Sequence, residues 1–328
     1  MLIDIFKKSY IHQTLFIVLV ASALWAKSFI FPEGVAVATE PYSLLYSYIE
    51  GFAKMYPVVS VVVAFLLVFA QGIYFNHILV SNYLIHKTTL FPMFVYIMLM
   101  SMAPQNQTFT PLLFSNIFLL IALHNIINCY NQEHSYEKVF NASFCIALAF
   151  LFYFPSIYML VFVIASFVVY KLYYWREWLV MLLGFVAPFF SLFAYYYVVD
   201  KFDTVMRRLS DEAMRVSLNY DFSNTVGLIC GSATALFAIV SLVAIWSNLS
   251  EKVIIYRKKA TVLLLLMLVG IAFSLYDILL PANQQNYVMP MSFMLPTFFL
   301  MLRNNKKVCN TVFVVFLAVV FANAYLRF

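Results

Sequence analysis

Few residues of this chain carry reactive chemistry, and most of them gather in two stretches. The first reads Phe31-Pro32-Glu33-Gly34, then Thr39-Glu40-Pro41-Tyr42-Ser43-Leu44-Leu45-Tyr46. A carboxylate fixed in a cleft can take a proton as a general base or hold a cation, so Glu40 and Glu33 are the candidate catalytic residues. The second stretch carries Arg207, Arg208 and Arg215 beside Asp211 and Glu212. A guanidinium fork matches phosphate oxygens, which makes these arginines candidate contacts for a lipid phosphate. Asp277, just before Pro281-Ala282-Asn283-Gln284-Gln285-Asn286-Tyr287, joins them as an ionisable residue at the edge of an apolar stretch. Each has a plainer reading. The acids face water in a connector, and the arginines snorkel to headgroups with i,i+4 partners at Asp211 and Glu212.

Other polar residues offer less. Cys129, Cys145, Cys230 and Cys309 are far apart, with no CxxC or His/Cys set, so neither a metal site nor a disulfide framework is expected. No P-loop, dinucleotide fingerprint, zinc motif or nucleophile elbow occurs. His124, with Asn125 and Asn128, is expected to make an inter-helix hydrogen bond. His77, Asn82, His86 and Lys87 gather near one helix end without ligand spacing. Trp175-Arg176-Glu177-Trp178 reads as an aromatic belt with a locally compensated charge pair.

The elements that must position these residues are helices in lipid. The 328 residues are 65% hydrophobic and 10% charged, against about 25% charged in a soluble domain. The apolar residues come in unbroken blocks rather than the short alternating segments of a β-barrel. The expected fold is therefore all-α, a polytopic transmembrane helical bundle forming one integral membrane domain over 1–328. Its spans fall near 12–31, 57–75, 88–103, 111–128, 140–154, 156–171, 178–198, 226–247, 260–280, 286–302 and 309–326, about eleven in all. Taken as one helix, 140–171 would run to roughly 48 Å, too long for a bilayer, so a hairpin is expected at Phe154-Pro155-Ser156. Residues 13–26 read as an uncleaved signal anchor.

Most of the basic residues, among them Lys7, Lys8, Lys138, Lys171, Arg257, Lys258 and Lys259, then fall on one side, whereas Glu33, Glu40, Asp203, Asp211 and Asp277 fall on the other. The positive-inside rule gives N-in, C-out. The formal charge of +6 is dispersed between spans, which argues for topology signals and against nucleic acid. Outer loops are expected at 32–56 and 199–225, each with an amphipathic interfacial helix. In the first, Thr39 caps a helix with Tyr42, Leu45, Tyr46, Ile49 and Phe52 on one face. In the second, Phe202, Val205, Met206, Leu209, Ala213 and Val216 make the apolar stripe.

Two resemblances add to this. Leu90-Phe91-Pro92-Met93-Phe94-Val95-Tyr96, Phe140-Asn141-Ala142-Ser143-Phe144, Tyr153-Phe154-Pro155-Ser156 and Trp175-Arg176-Glu177-Trp178-Leu179 resemble an uncharacterised polytopic membrane family of Bacteroidetes-type bacteria. Glu40-Pro41-Tyr42-Ser43-Leu44-Leu45-Tyr46 is similar to the first outer loop of the C-type (GT-C) membrane glycosyltransferases, which use polyprenyl-phosphate sugars. It departs from their acid pair, since Thr39 stands where one acid is expected. This likeness implies Glu40 as base or cation ligand, Arg207, Arg208 and Arg215 toward the lipid phosphate, and a divalent cation as the one cofactor.

Three functions stay open. A glycosyltransferase at the outer face of a bacterial inner membrane would use a polyprenyl-phosphate-linked sugar. A non-catalytic subunit of an envelope assembly or secretion complex would have membrane lipids and other membrane proteins as partners. A transporter or flippase would place polar residues at the bilayer midplane.

Overall fold

The structure, a computed structural model, describes residues 6, 10–32, 45–86, 88–102, 107–132, 135–214, 225–277, 288–301 and 306–326. These residues are helical, with no strand among them. A helix lies in each of the eleven apolar stretches: α1 Tyr10–Ile30, α3 Pro57–Ser81, α4 Phe91–Met100, α5 Pro111–Asn128, α6 Tyr136–Phe152, α7 Met159–Tyr170, α8 Trp175–Val198, α10 Thr225–Asn248, α11 Ile254–Asp277, α12 Val288–Met301 and α13 Lys306–Leu326. Two more, α2 Ser47–Met55 and α9 Phe202–Met214, sit in the long connections.

Five helical segments are long and apolar enough to cross a membrane: α1, α3, α5, α8 and Ser232–Glu251 at the end of α10. The apolar stretches within α4, α7, α12 and α13 are shorter. Large apolar side chains such as Leu15, Leu66, Leu182, Phe190, Ile239 and Val243 stay exposed along these helices. Water would penalise such faces and hydrocarbon does not, so the molecule is a membrane-embedded helical protein.

Prolines and caps set the helix starts. Pro57, Pro92 and Pro111 fall in first turns, where a missing N–H costs nothing. The Thr110 hydroxyl accepts from the Leu113 amide, capping α5. Gln13 of α1 reaches the start of α4, accepting from the Leu90 amide at 2.7 Å and donating to the Thr88 carbonyl at 2.9 Å. Between α6 and α7 the chain turns through a 3-10 helix, Phe154–Tyr158, where the hairpin is expected. α6 lies between α5 and α8. Its contact with α8 is close at Gly184, where an added Cβ would stand 2.7 Å from the Phe140 carbonyl oxygen.

The helices define two ends. The loop end holds α2, α9, the 3-10 turn, residues 101–102 and 107–110, and the close of α13, where Lys27 donates to the Tyr325 carbonyl at 2.9 Å. The basic end holds the last turns of α3, α5 and α7 and the first turns of α6, α8 and α11. Between them Gln71 ties three helices together. It accepts from the Tyr96 hydroxyl at 2.9 Å and donates to the Leu113 carbonyl at 2.8 Å.

Candidate functional site

At the loop end the two long connections meet on one small apolar cluster. Phe150 and Leu151, from the last turn of α6, are buried there with Val205 of α9. Leu45, which follows the first loop, packs on the same cluster, as do Phe154, Phe189 and Leu209. The Leu45 amide also donates to the Leu151 carbonyl at 3.2 Å. Phe202 sets its ring edge-on to Phe193 at 5.9 Å. α9 is thus amphipathic in the expected sense: Val205 faces the protein, whereas Asp203 and Arg207 face out. Met206, assigned to the apolar stripe, is exposed instead.

The first interfacial helix differs from its expected form. The described helix begins at Ser47, after a turn at Leu45 and Tyr46. Tyr46 is fully buried, and its hydroxyl donates to the Phe109 carbonyl at 2.6 Å. It is a plug between segments rather than part of a lipid-facing stripe. Along α2, Glu50 and Lys54 pair on the surface at i,i+4 spacing, a contact worth about 0.3–0.5 kcal/mol.

Residues 101–102 and 107–110 form a hydrogen-bonded floor behind these helices. Gln107 is buried, accepts from the Ser28 hydroxyl, and donates to the Ser101 carbonyl at 2.9 Å and the Leu24 carbonyl at 3.4 Å. Trp25 Nε1 donates to Ser101 Oγ at 2.7 Å. Asn323 of α13 donates to the Met102 carbonyl at 2.9 Å. Protein groups thus satisfy the Ser101 and Met102 carbonyls where the chain leaves regular helix.

Of the candidate residues, Glu33, Glu40 and Arg215 lie outside the described residues, as does the Thr39 cap. Arg207 stands exposed on α9, Arg208 is the next residue of that helix, and Asp277 is the last residue of α11. What the structure brings together is the flank of each connection: Leu45, five positions after Glu40, and Val205, two before Arg207. One crevice among the described residues, lined by Leu119, Leu123, Ile146, Met159, Phe162 and Leu266 with other apolar side chains, is too tight for water and offers no polar group.

Residues 22–327 match DUF6427, a family of unknown function. The chain belongs to the DUF6427 family. No curated protein and no solved structure matches it. Membership in DUF6427 agrees with the likeness to an uncharacterised polytopic family and leaves the chemistry to be argued from the residues.

The basic end of this DUF6427 chain holds polar groups that sequence reasoning misread. Glu177 is buried, accepts from the Ser135 hydroxyl at 3.0 Å through one oxygen, and has no partner for the other. Arg176, expected to compensate it, lies exposed over the Trp175 ring at 5.9 Å. The pair is split because residues adjacent on a helix point about 100° apart. His124 bonds Asn128 at 3.1 Å within α5 rather than across helices, and its Nδ1 has no partner. Cys129, capping α5, has its thiol pushed up to about 12, first by burial, then by Glu177, with Lys138 opposing. A thiol in that state is a small apolar group, not a nucleophile. No cluster of metal-ligating side chains occurs among the described residues.

Proposed function

We propose that this DUF6427 protein is a bacterial inner-membrane protein of about eleven spans, N-in and C-out, that acts at its outer face on a lipid-linked sugar in the manner of a GT-C glycosyltransferase. The observation that carries the reading is the meeting of the two connections on Phe150 and Leu151. It anchors the chain just after Glu40 beside the helix that carries Arg207 and Arg208, as a shared site requires. In that site Glu40, with Glu33 near it in sequence, takes the proton from an acceptor hydroxyl. The acceptor oxygen bonds to the sugar's anomeric carbon, and the bond from that carbon to the phosphate oxygen breaks. The electron pair leaves with the polyprenyl phosphate, whose charge Arg207, Arg208 and Arg215 hold. Asp277, ending α11, joins the residues assigned to the lipid-linked substrate, and a divalent cation, if one takes part, would be held by Glu40 in place of its role as base.

A non-catalytic subunit of an envelope complex is the second reading, favoured by the interior. Buried side chains such as Gln13, Gln71 and Gln107 spend their hydrogen bonds on tying helices together, as a scaffold requires. Transport is less well supported, because the polar pair Gln71–Tyr96 satisfies itself inside the bundle.

The test uses the full-length protein in mild detergent with polyprenyl phosphate and a labelled polyprenyl-phosphate sugar. The glycosyltransferase reading expects retained polyprenyl phosphate, lost about tenfold in R207Q/R208Q. It also expects release of polyprenyl phosphate that Glu40→Gln abolishes. Failure of both, with a stoichiometric protein partner instead, transfers the assignment to the subunit reading.

A further inference from the structure

The opposite end of the molecule carries a second arrangement, independent of the outer loops. Lys138, in the first turn of α6, donates to the Asn128 carbonyl at 3.0 Å. Lys258 donates to the Val169 carbonyl at 2.8 Å, and Lys259 to Asn82 Oδ1 at 2.7 Å. Asn82 in turn donates to the Ile78 carbonyl at 2.9 Å. Each lysine therefore serves the last turn of a different helix, α5, α7 or α3, where carbonyls lack intrahelical partners and the dipole is negative.

Capping explains one donor on each lysine, but an ammonium has three. All three lysines are half-buried, and Lys138 lies close enough to Lys259 and to Cys129 to act on both electrostatically. Among the described residues no carboxylate lies within salt-bridge distance of any of them. A buried acid of this end, Glu177, acts on Cys129 and bonds Ser135, whereas Glu137 and Glu251 are exposed. Among the described residues, the half-buried lysines face one buried carboxylate at this end, in surroundings that screen less than water. His77 and His124 sit beside them, and the buried hydroxyl of Tyr170, next to Val169 in the chain, has no partner. That hydroxyl is close to Cys129 and Tyr130, on the same side of the cluster as Lys138. Among the described residues such a set is short of buried negative charge and of acceptors, and one group supplies both.

The rim states where that group comes from. Tyr83, Tyr173, Tyr174, Trp175 and Trp246 are all exposed, and all lie at this end. Aromatic side chains collect at headgroup level, where lipid phosphates lie. Lysines just beyond the apolar core meet those phosphates with their stems in hydrocarbon.

We propose that Lys138, Lys258 and Lys259 form a binding site for a phosphate group, supplied by the headgroup of an anionic phospholipid, between the ends of α3, α5, α7 and α11. Tyr170 is a candidate hydroxyl donor to one phosphate oxygen, and Glu177 limits the net charge so that the empty site stays folded. The lipid would hold α11 against α3 and α7 at this end.

The test starts from delipidated full-length protein in zwitterionic detergent, with phosphatidylglycerol, oleate or inorganic phosphate added and bound species read by native mass spectrometry. Wild type retains phosphatidylglycerol and gains thermal stability from it. K138Q/K259Q lowers retention about tenfold and removes the gain, whereas K138R/K259R restores both. Lys252→Gln, which removes an exposed lysine at the same end, changes neither. Equal retention in K138Q/K259Q, or an equal loss in Lys252→Gln, would overturn the site. Oleate bound as well as phosphatidylglycerol would overturn recognition of phosphate, and inorganic phosphate bound without phosphatidylglycerol would overturn the lipid source. If K138Q/K259Q does not fold, Lys258→Met and Tyr170→Phe read the same retention. An unchanged value in both sinks the proposal.

Discussion

At the loop end Gln107, Ser101, Trp25 and Tyr46 bury neutral donors and acceptors, while Arg207, Asp203 and Lys201 remain exposed. At the basic end Glu177 is buried and Lys138, Lys258 and Lys259 are drawn half inside, against helix ends. Neutral hydrogen bonds fix geometry without a field that reaches far. Charges held beside a low-dielectric interior keep theirs, and ions screen them less. The first end is therefore suited to a rigid floor under a replaceable surface, with α9 resting on Val205 and Leu209. The second is suited to holding a counter-charge in one place.

Four measurements separate these descriptions. Gln107→Leu strips partners from Ser28 and from the Ser101 and Leu24 carbonyls, and a loss of about 3 kcal/mol is expected from groups left unpaired. Unfolding in mixed micelles measures it, and a loss near zero would mean the floor is not held by these bonds. Ser135→Ala leaves the buried Glu177 carboxylate without its described donor. That should cost about 2 kcal/mol, with Ser135→Thr restoring most of it. An unchanged melting temperature would show that Glu177 is satisfied from elsewhere. Val205→Asp should detach α9 locally, so global stability falls by less than about 1 kcal/mol while limited proteolysis near 202–214 accelerates. A large global loss would instead make α9 part of the main core. The smallest effect concerns Cys129. With its thiol near 12 and buried, it should resist N-ethylmaleimide at pH 8 in the folded protein and react on unfolding. Fast labelling of the folded state would show that the basic end opens to water.

The expected residue roles divide by how much partner geometry they needed. Apolar block length placed a helix in each of eleven stretches, and Pro155 marked the break between α6 and α7 closely. A period-3.6 stripe foretold which way α9 lies, because amphipathicity is a local property of the chain. Tyr46 defeated the same reasoning: its stripe position said interface, yet a carbonyl 63 residues away, at Phe109, claims its hydroxyl. Glu177 failed for a related reason. Its sequence neighbour Arg176 looked like its counter-ion, but helical rotation turned one outward and the other toward Ser135.

By itself, then, the sequence determined the solvent, the helices and their ends, because each follows from how many adjacent residues prefer hydrocarbon and where the backbone cannot continue a helix. Tertiary structure alone decided that Leu45 and Val205 share a cluster, that Gln107 clamps α1, and that Lys138 and Lys259 come near each other from two helices. Those depend on which helices become neighbours and how each is rotated about its axis, and no local preference specifies either.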